Sequence, residues 1–180
     1  NGERNGTGKE YKNCELTFEG NYIKGKRNGN GKEYSKGHEL IFKGEFLNGE
    51  RNGYGEEYKN SLLIFKGKYL EGKRWEGEFN DYYIFMYSQP KKKIIANYLN
   101  GQINGKVIEY HRDNEKIRFN GEYLNDKRWN GKGYDYDGEE EYEIKEGNGY
   151  IKIYNEHDDL YMESNYLNGN LTGKGIEYNI

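Results

Sequence analysis

One short pattern of apolar and polar positions recurs along the chain: aromatic, polar, glycine, polar, aromatic. Phe18-Glu-Gly20-Asn-Tyr22, Phe42-Lys-Gly44-Glu-Phe46, Phe65-Lys-Gly67-Lys-Tyr69 and Phe119-Asn-Gly121-Glu-Tyr123 carry it in full. Ile94-Ile-Ala96-Asn-Tyr98 and Met162-Glu-Ser164-Asn-Tyr166 are degenerate copies. Strict alternation is the period of a β-strand with one buried face, so each copy predicts a strand whose aromatics share a side. The central positions are separated by 24, 23, 29, 25 and 43 residues. The last step is long enough to hide an extra hairpin, from "RWNGKGYDYDG" to "EGNGYIKIY", and residues 1–11 match only the second half of a copy.

A turn signal follows each copy. Asn48-Gly49, Asn100-Gly101 and Asn168-Gly169 suit a two-residue type I′ turn, whose two central residues need positive φ, and Lys24-Gly25 and Glu71-Gly72 hold the same place. A two-residue loop with unbroken pairing sets Gly44 opposite Gly53, Phe42 opposite Gly55, Gly20 opposite Gly29 and Phe18 opposite Gly31. Glycine weakens a strand interior unless something needs its space. Here each glycine is read as a gap that receives an aromatic ring from the same face. The fourth copy keeps the volume differently, with Ile94 set against Val107 and Ala96 against Gly105. "GKRWEG" and "DKRWNG" carry one residue more and predict three-residue loops with a local bulge. That register puts Gly67 opposite Gly77, Gly121 opposite Gly131, Phe119 opposite Gly133, Phe65 opposite Phe79, and Tyr69 and Tyr123 opposite Trp75 and Trp129.

The expected fold is all-β: an elongated, twisted, single-layer antiparallel meander of about sixteen short strands in tandem hairpins. The array covers residues 1–180, with a half repeat at 1–11 and repeats at about 12–34, 35–58, 59–87, 88–110, 111–154 and 155–180. "SQPKKK" at 88–93 is the expected break, with Pro90 in a loop or at an edge. The chain opens without methionine and partway through a repeat, and is read as a piece of a longer one.

Composition sharpens this picture. Hydrophobic and charged residues each make up 33% of the chain, a balance that by itself admits disorder. Aromatics at 16%, twenty tyrosines among them, and a single proline oppose that reading. A net charge of −3 argues against a nucleic-acid binder that works by blanket phosphate neutralisation. Cys14 is the sole cysteine, which excludes an internal disulfide and fits a reducing, cytoplasmic compartment.

The spacing aromatic-x-Gly-x-aromatic-x-x-Gly-x-x-x-Gly-x-Gly resembles the MORN repeat (membrane occupation and recognition nexus). Phe18, Gly20, Tyr22, Gly25, Gly29 and Gly31 fit it throughout, as do Phe42, Gly44, Phe46, Gly49, Gly53 and Gly55. Tyr166, Gly169, Gly173 and Gly175 fit it in the last copy, and Gly2, Gly6 and Gly8 at the start. The long gaps and the "KRW" copies depart from the simple repeat. The resemblance implies an elongated antiparallel sheet and a structural or adaptor role that links proteins, cytoskeleton or membranes.

No reactive constellation stands out. There is no phosphate loop, no nucleophile elbow and no Ser-His-Asp spacing, so the chain is read as non-enzymatic and without a cofactor. His38, His111 and His157 fall in separate connections and are read as solvated, with no metal site. "DYDGEEEYE" at 135–143 is read as a solvated acidic turn rather than a calcium loop. Lys91, Lys92 and Lys93 form the one basic run, in a stretch read as a loop, and are the candidate contacts to anionic lipid. The leading expectation is a scaffold that engages a protein partner through an extended repeat surface. Membrane association and carbohydrate binding through exposed rings are the alternatives. Unpaired strands at the two ends of the array further predict end-to-end association between copies.

Overall fold

A computed structural model describes residues 2–155 and 157–178. Among them are fifteen strands: β1 (Gly6–Lys12), β2 (Glu15–Ile23), β3 (Lys26–Tyr34), β4 (Leu40–Leu47), β5 (Glu50–Lys59), β6 (Leu62–Leu70), β7 (Lys73–Tyr83), β8 (Lys91–Leu99), β9 (Gln102–Tyr110), β10 (Ile117–Leu124), β11 (Lys127–Tyr134), β12 (Glu140–Lys145), β13 (Asn148–Tyr154), β14 (Leu160–Leu167) and β15 (Asn170–Glu177). They follow one another in chain order as a single-layer antiparallel meander of hairpins. The hidden hairpin is β12–β13, and Pro90 lies in the connection before β8. The chain divides into two units: unit 1, Asn1–Phe79 with Tyr98–Gly101, and unit 2, Asn80–Asn97 with Gln102–Ile180.

The turns form where the dipeptides predict. Asn48-Gly49 has φ of 55° and 102°, and Lys24-Gly25, Glu71-Gly72, Asn100-Gly101 and Asn168-Gly169 share the positive-φ pair. Asn13-Cys14 and Asn60-Ser61 adopt it as well, closing the β1–β2 and β5–β6 hairpins without any glycine. Asparagine tolerates the left-handed region, which is why these turns close.

The register departs from the unbroken pairing. Beside the turn, Leu47 meets Glu50 and Phe46 meets Arg51 as expected, but Gly44 then meets Gly55, not Gly53, and Phe42 meets Glu57, not Gly55. The extra residues form a bulge in which Gly53 takes φ of 97°. The first repeat does the same: Gly20 meets Gly31 and Phe18 meets Glu33, while Gly29 takes φ of 82°. In the "KRW" hairpins Gly67 meets Gly77, Phe65 meets Phe79, Gly121 meets Gly131 and Phe119 meets Gly133, as predicted. The extra residue sits in a bulge and not in a three-residue loop, so Tyr69 faces Arg74 and Tyr123 faces Arg128 rather than the two tryptophans.

The repeat glycines therefore divide into three groups. Gly25, Gly49 and Gly169 make turns, and Gly29, Gly53 and Gly173 make left-handed bulges. The others align. Gly8, Gly20, Gly31, Gly44, Gly55, Gly67 and Gly77 pair in succession across β1 to β7, one continuous line perpendicular to the strands. The rings lie on this line. A Cβ built on Gly55 would stand 2.4 Å from Cζ of Phe42, and one on Gly31 would stand 2.5 Å from Cζ of Phe18. Phe18, Phe42 and Phe65 are fully buried, although the sheet has a single layer.

Neighbouring rings meet edge to face. In unit 1 the series runs Tyr22, Phe18, Phe46, Phe42, Tyr69, Phe65, Tyr98 and Phe79, with centroids 5.0 to 5.7 Å apart. Unit 2 keeps the principle with a different cast. Phe119, Tyr142, Ile144 and Ile151 form its buried cluster, and Tyr142 occupies the space above Gly133. Ala96 and Val107, the degenerate positions of the fourth copy, are also buried.

Gly55→Val should destabilise the protein by about 1–3 kcal/mol or more, because Phe42 has no vacant volume to enter. Glu56→Val, one residue along and on the other face, loses the pairs to the exposed Lys43 and Lys66 and should cost about 1 kcal/mol or less, well short of Gly55→Val. Chemical denaturation of the two variants compares them directly, and equal midpoints would show that the rings do not depend on the glycine line.

Candidate functional site

The ring face of unit 1 is closed by charge. Each repeat places an arginine two residues after the turn: Arg27, Arg51 and Arg74. Each also places a glutamate two residues after the line glycine: Glu10, Glu33 and Glu57. Arg27 lies 4.1 Å from the Phe18 centroid, Arg51 4.3 Å from that of Phe42, and Arg74 5.4 Å from that of Phe65. Their guanidinium groups reach carboxylates on the same face, on their own strand or on the next strand but one. Arg27 reaches Glu10 at 2.6 Å and Glu33 at 2.7 Å, Arg51 reaches Glu33 at 2.6 Å, and Arg74 reaches Glu57 at 2.8 Å. The hydroxyls of Tyr22 and Tyr69 donate to Glu10 and Glu57. Arg27 holds the Glu10 carboxyl below its usual range. Where the β7 copy lacks the glutamate, Phe79 stands in its place and packs against Tyr98.

The opposite face of unit 1 is open. The far side of the glycine line is the floor of a furrow of about 810 Å³, whose base is Gly8, Gly20, Gly31, Gly44 and Gly55. One wall is a cross-strand row: Lys9, Glu19, Lys32, Lys43, Glu56 and Lys66. These pair as two triplets. Glu19 lies 3.5 Å from Lys9 and 3.3 Å from Lys32, and Glu56 lies 2.8 Å from Lys43 and 3.3 Å from Lys66. Lys43 and the Tyr58 hydroxyl hold the Glu56 carboxyl at about 2. The other wall is Thr7, Asn30, Glu45 and the exposed ring of Tyr54.

The residues singled out in the sequence have scattered fates. The aromatics Phe18, Tyr22, Phe42, Phe46, Phe65, Tyr69 and Phe119 are buried, which leaves none of these rings to stack on a sugar. Lys91, Lys92 and Lys93 open β8 and do not form a loop. Lys91 donates to the Asp113 carbonyl and lies over the Phe85 ring, Lys93 pairs with Asp81 at 3.3 Å, and Lys92 projects to the other side of the strand. His38 is exposed, as expected, but His111 is fully buried. Its Nδ1 lies 3.2 Å from Asp158 and its Nε2 lies 3.0 Å from the Tyr134 carbonyl oxygen. The connections that carry His111 and Asp158 thus meet within unit 2, despite their 47-residue separation. In the acidic turn, Asp135 accepts the backbone N–H groups of Asp137 and Glu139, which lower its pKa.

Unit 2 holds one Arg–Glu pair more deeply, with Glu109 buried and Arg128 17% exposed. Arg128 donates Nε and Nη2 to Glu109 at 2.9 and 2.7 Å, and the Tyr123 hydroxyl donates at 2.6 Å. Burial pushes the Glu109 carboxyl up, but Arg128 and Arg118 outweigh it and hold it at about 2.

No family model matches the chain, and a comparison with curated proteins finds no match. Among the described residues no helix is long and apolar enough to cross a membrane.

A carboxyl held at about 2, against 4.5 in the unfolded chain, contributes stability that is present above pH 4.5 and lost as pH falls toward 2. That contribution is about 3 kcal/mol. Glu109→Gln should be less stable at neutral pH and should lose roughly 2–3 kcal/mol less than the parent between pH 6 and pH 2. Urea melts across that range measure it, and parallel losses would remove Glu109 from the titrating set.

Proposed function

We propose that this protein is a non-catalytic scaffold of MORN type, which holds an extended, acidic segment of a protein partner in the furrow of unit 1. The supporting observation is the glycine floor. Strand alternation sends side chains at these positions to the ring face, so the floor at Gly8, Gly20, Gly31, Gly44 and Gly55 is bare backbone between two walls of side chains, along which another chain can lie. The five base glycines span about 20 Å at 4.8 Å per strand, room for about six residues of extended chain lying across the strands. The wall supplies charge. Each Lys–Glu–Lys triplet keeps one surplus positive charge and Glu45 on the facing wall offsets one of the two, so the furrow is net positive by one and favours an acidic segment over a basic one. The repeat spacing supports the MORN assignment, and the lone exposed Cys14 supports work in a reducing, cytoplasmic setting.

Peptides selected from a displayed library of acidic extended sequences test the reading. Selected peptides should lose roughly tenfold or more in affinity for the double variant Lys32→Glu, Lys43→Glu, and several-fold for Tyr54→Ala. Lys73→Glu, at the β6–β7 turn, should leave affinity unchanged. Peptides that bind the double variant as well as the parent would place recognition elsewhere.

A further inference from the structure

In unit 2, the end of β7 and the connection after it, β8, the connection after β9, the start of β10 and the end of β13 enclose a pocket of about 390 Å³. Its walls carry Lys93, Arg112 and Arg118 beside the phenols of Tyr82, Tyr83 and Tyr154. Among the described residues none of the lining side chains is a carboxylate. The carboxylates behind the walls are engaged. Glu109 accepts two hydrogen bonds from Arg128 and one from Tyr123. Asp158 accepts the Arg112 backbone N–H at 2.6 Å and faces His111. Asp81 pairs with Lys93 at 3.3 Å, on a lysine that remains about half exposed.

Arg118 is short of acceptors. Its side chain is 18% exposed. Nη2 shares Glu109 at 3.2 Å, Nη1 stands 3.9 Å from Asp158, beyond hydrogen-bond reach, and Nε is buried with no partner. A guanidinium offers five N–H donors in a rigid fork, and a buried donor left unpaired is costly. The Tyr83 and Tyr154 hydroxyls are committed to the Tyr110 carbonyl and to Glu141.

We propose that this pocket binds a phosphate-type oxyanion, the head of a phosphomonoester, between Arg118 and Lys93, with Arg112 and the Tyr82 hydroxyl at its margin. A tetrahedral dianion supplies several acceptors to the fork of Arg118, while Lys93 contributes a point charge. The pocket is far larger than one water and too polar to hold an apolar group. Such a phosphate arrives either on a small soluble ester or as the headgroup of an anionic lipid. The adjoining segment 84–90 exposes Met86 at 84% and Tyr87 at 94%, so both sources belong in the test.

Calorimetric titration with glycerol 3-phosphate, with glycerol as the uncharged control, should give saturable binding for the phosphate alone. Lys93→Gln should weaken it roughly threefold and Arg118→Gln roughly tenfold or more, with Arg118→Lys recovering part of the loss. Lys93 is partly exposed, so its variant carries the test if Arg118→Gln unfolds. Co-sedimentation with phosphatidylcholine vesicles containing phosphatidic acid separates the sources. Capture that glycerol 3-phosphate competes away assigns the pocket to a headgroup, and titration binding without capture assigns it to a soluble ester. No binding at about 10 mM phosphate ester, unchanged affinity in the folded variants, or vesicle capture that glycerol 3-phosphate does not displace would overturn the proposal.

Discussion

Phe18, Phe42 and Phe119 each lie across a pair of glycines on adjacent strands, within van der Waals reach of bare backbone. This contact decides the architecture. A single-layer sheet has no second layer to bury its rings against, so the apolar surface must be covered by the sheet and its own side chains. Removing the side chain from one position in each strand creates a trough, and the rings fill it. The remaining exposed edge of each ring is then covered by an arginine from the neighbouring strand. The glutamates follow from the arginines, since half-buried guanidinium groups need anionic partners. Rings, arginines, glutamates and tyrosine hydroxyls form one linked assembly that starts from the glycine line.

Much of this was legible in the residues. Alternation gave the strands, and the Asn-Gly and Lys-Gly dipeptides gave the turns, because both signals act within a few residues. The pairing of Gly44 with Gly55 was not legible. Gly53 looks like every other glycine until its φ of 97° shows that it makes a bulge and leaves the ladder. A bulge costs nothing in the local pattern yet slips the register beyond it. The Arg–Glu ladder was present in the sequence as Arg27, Arg51 and Arg74 at one offset and Glu10, Glu33 and Glu57 at another. It was missed because charges in strands are read as solvated by default. A strict repeat offset is the signal that could have separated them, since solvated charges have no reason to keep a period.

Unit 2 shows what happens when the repeat decays. The glycine line gives way to Val107, Tyr142 and Ile144, and the rings to smaller apolar groups. Its longer connections at 111–116, 135–139 and 155–159 carry buried or paired polar groups, His111 and Asp158 foremost. None of this is periodic, so no repeat-based argument could place His111 in the interior. Contacts between residues 47 positions apart arise from how successive hairpins align at one end of the sheet, which a local pattern does not encode.

The two sides of the glycine line have opposite consequences for binding. On the ring side, every repeat spends its arginine and glutamate on internal partners, and little donor or acceptor capacity is left for another molecule. On the other side, strand alternation leaves a floor of backbone between two rows of polar side chains. The lysines there are exposed, so re-pairing them with an incoming segment costs far less than opening a buried pair. Glycine at a fixed position in each strand therefore closes the core, and the furrow follows from the alternation of the same strands. A residue with a Cβ on the line would push the ring away, because the Cβ enters the ring face and not the furrow. Stability therefore rests on the line positions and recognition on their neighbours one residue to either side, so the two faces can vary separately.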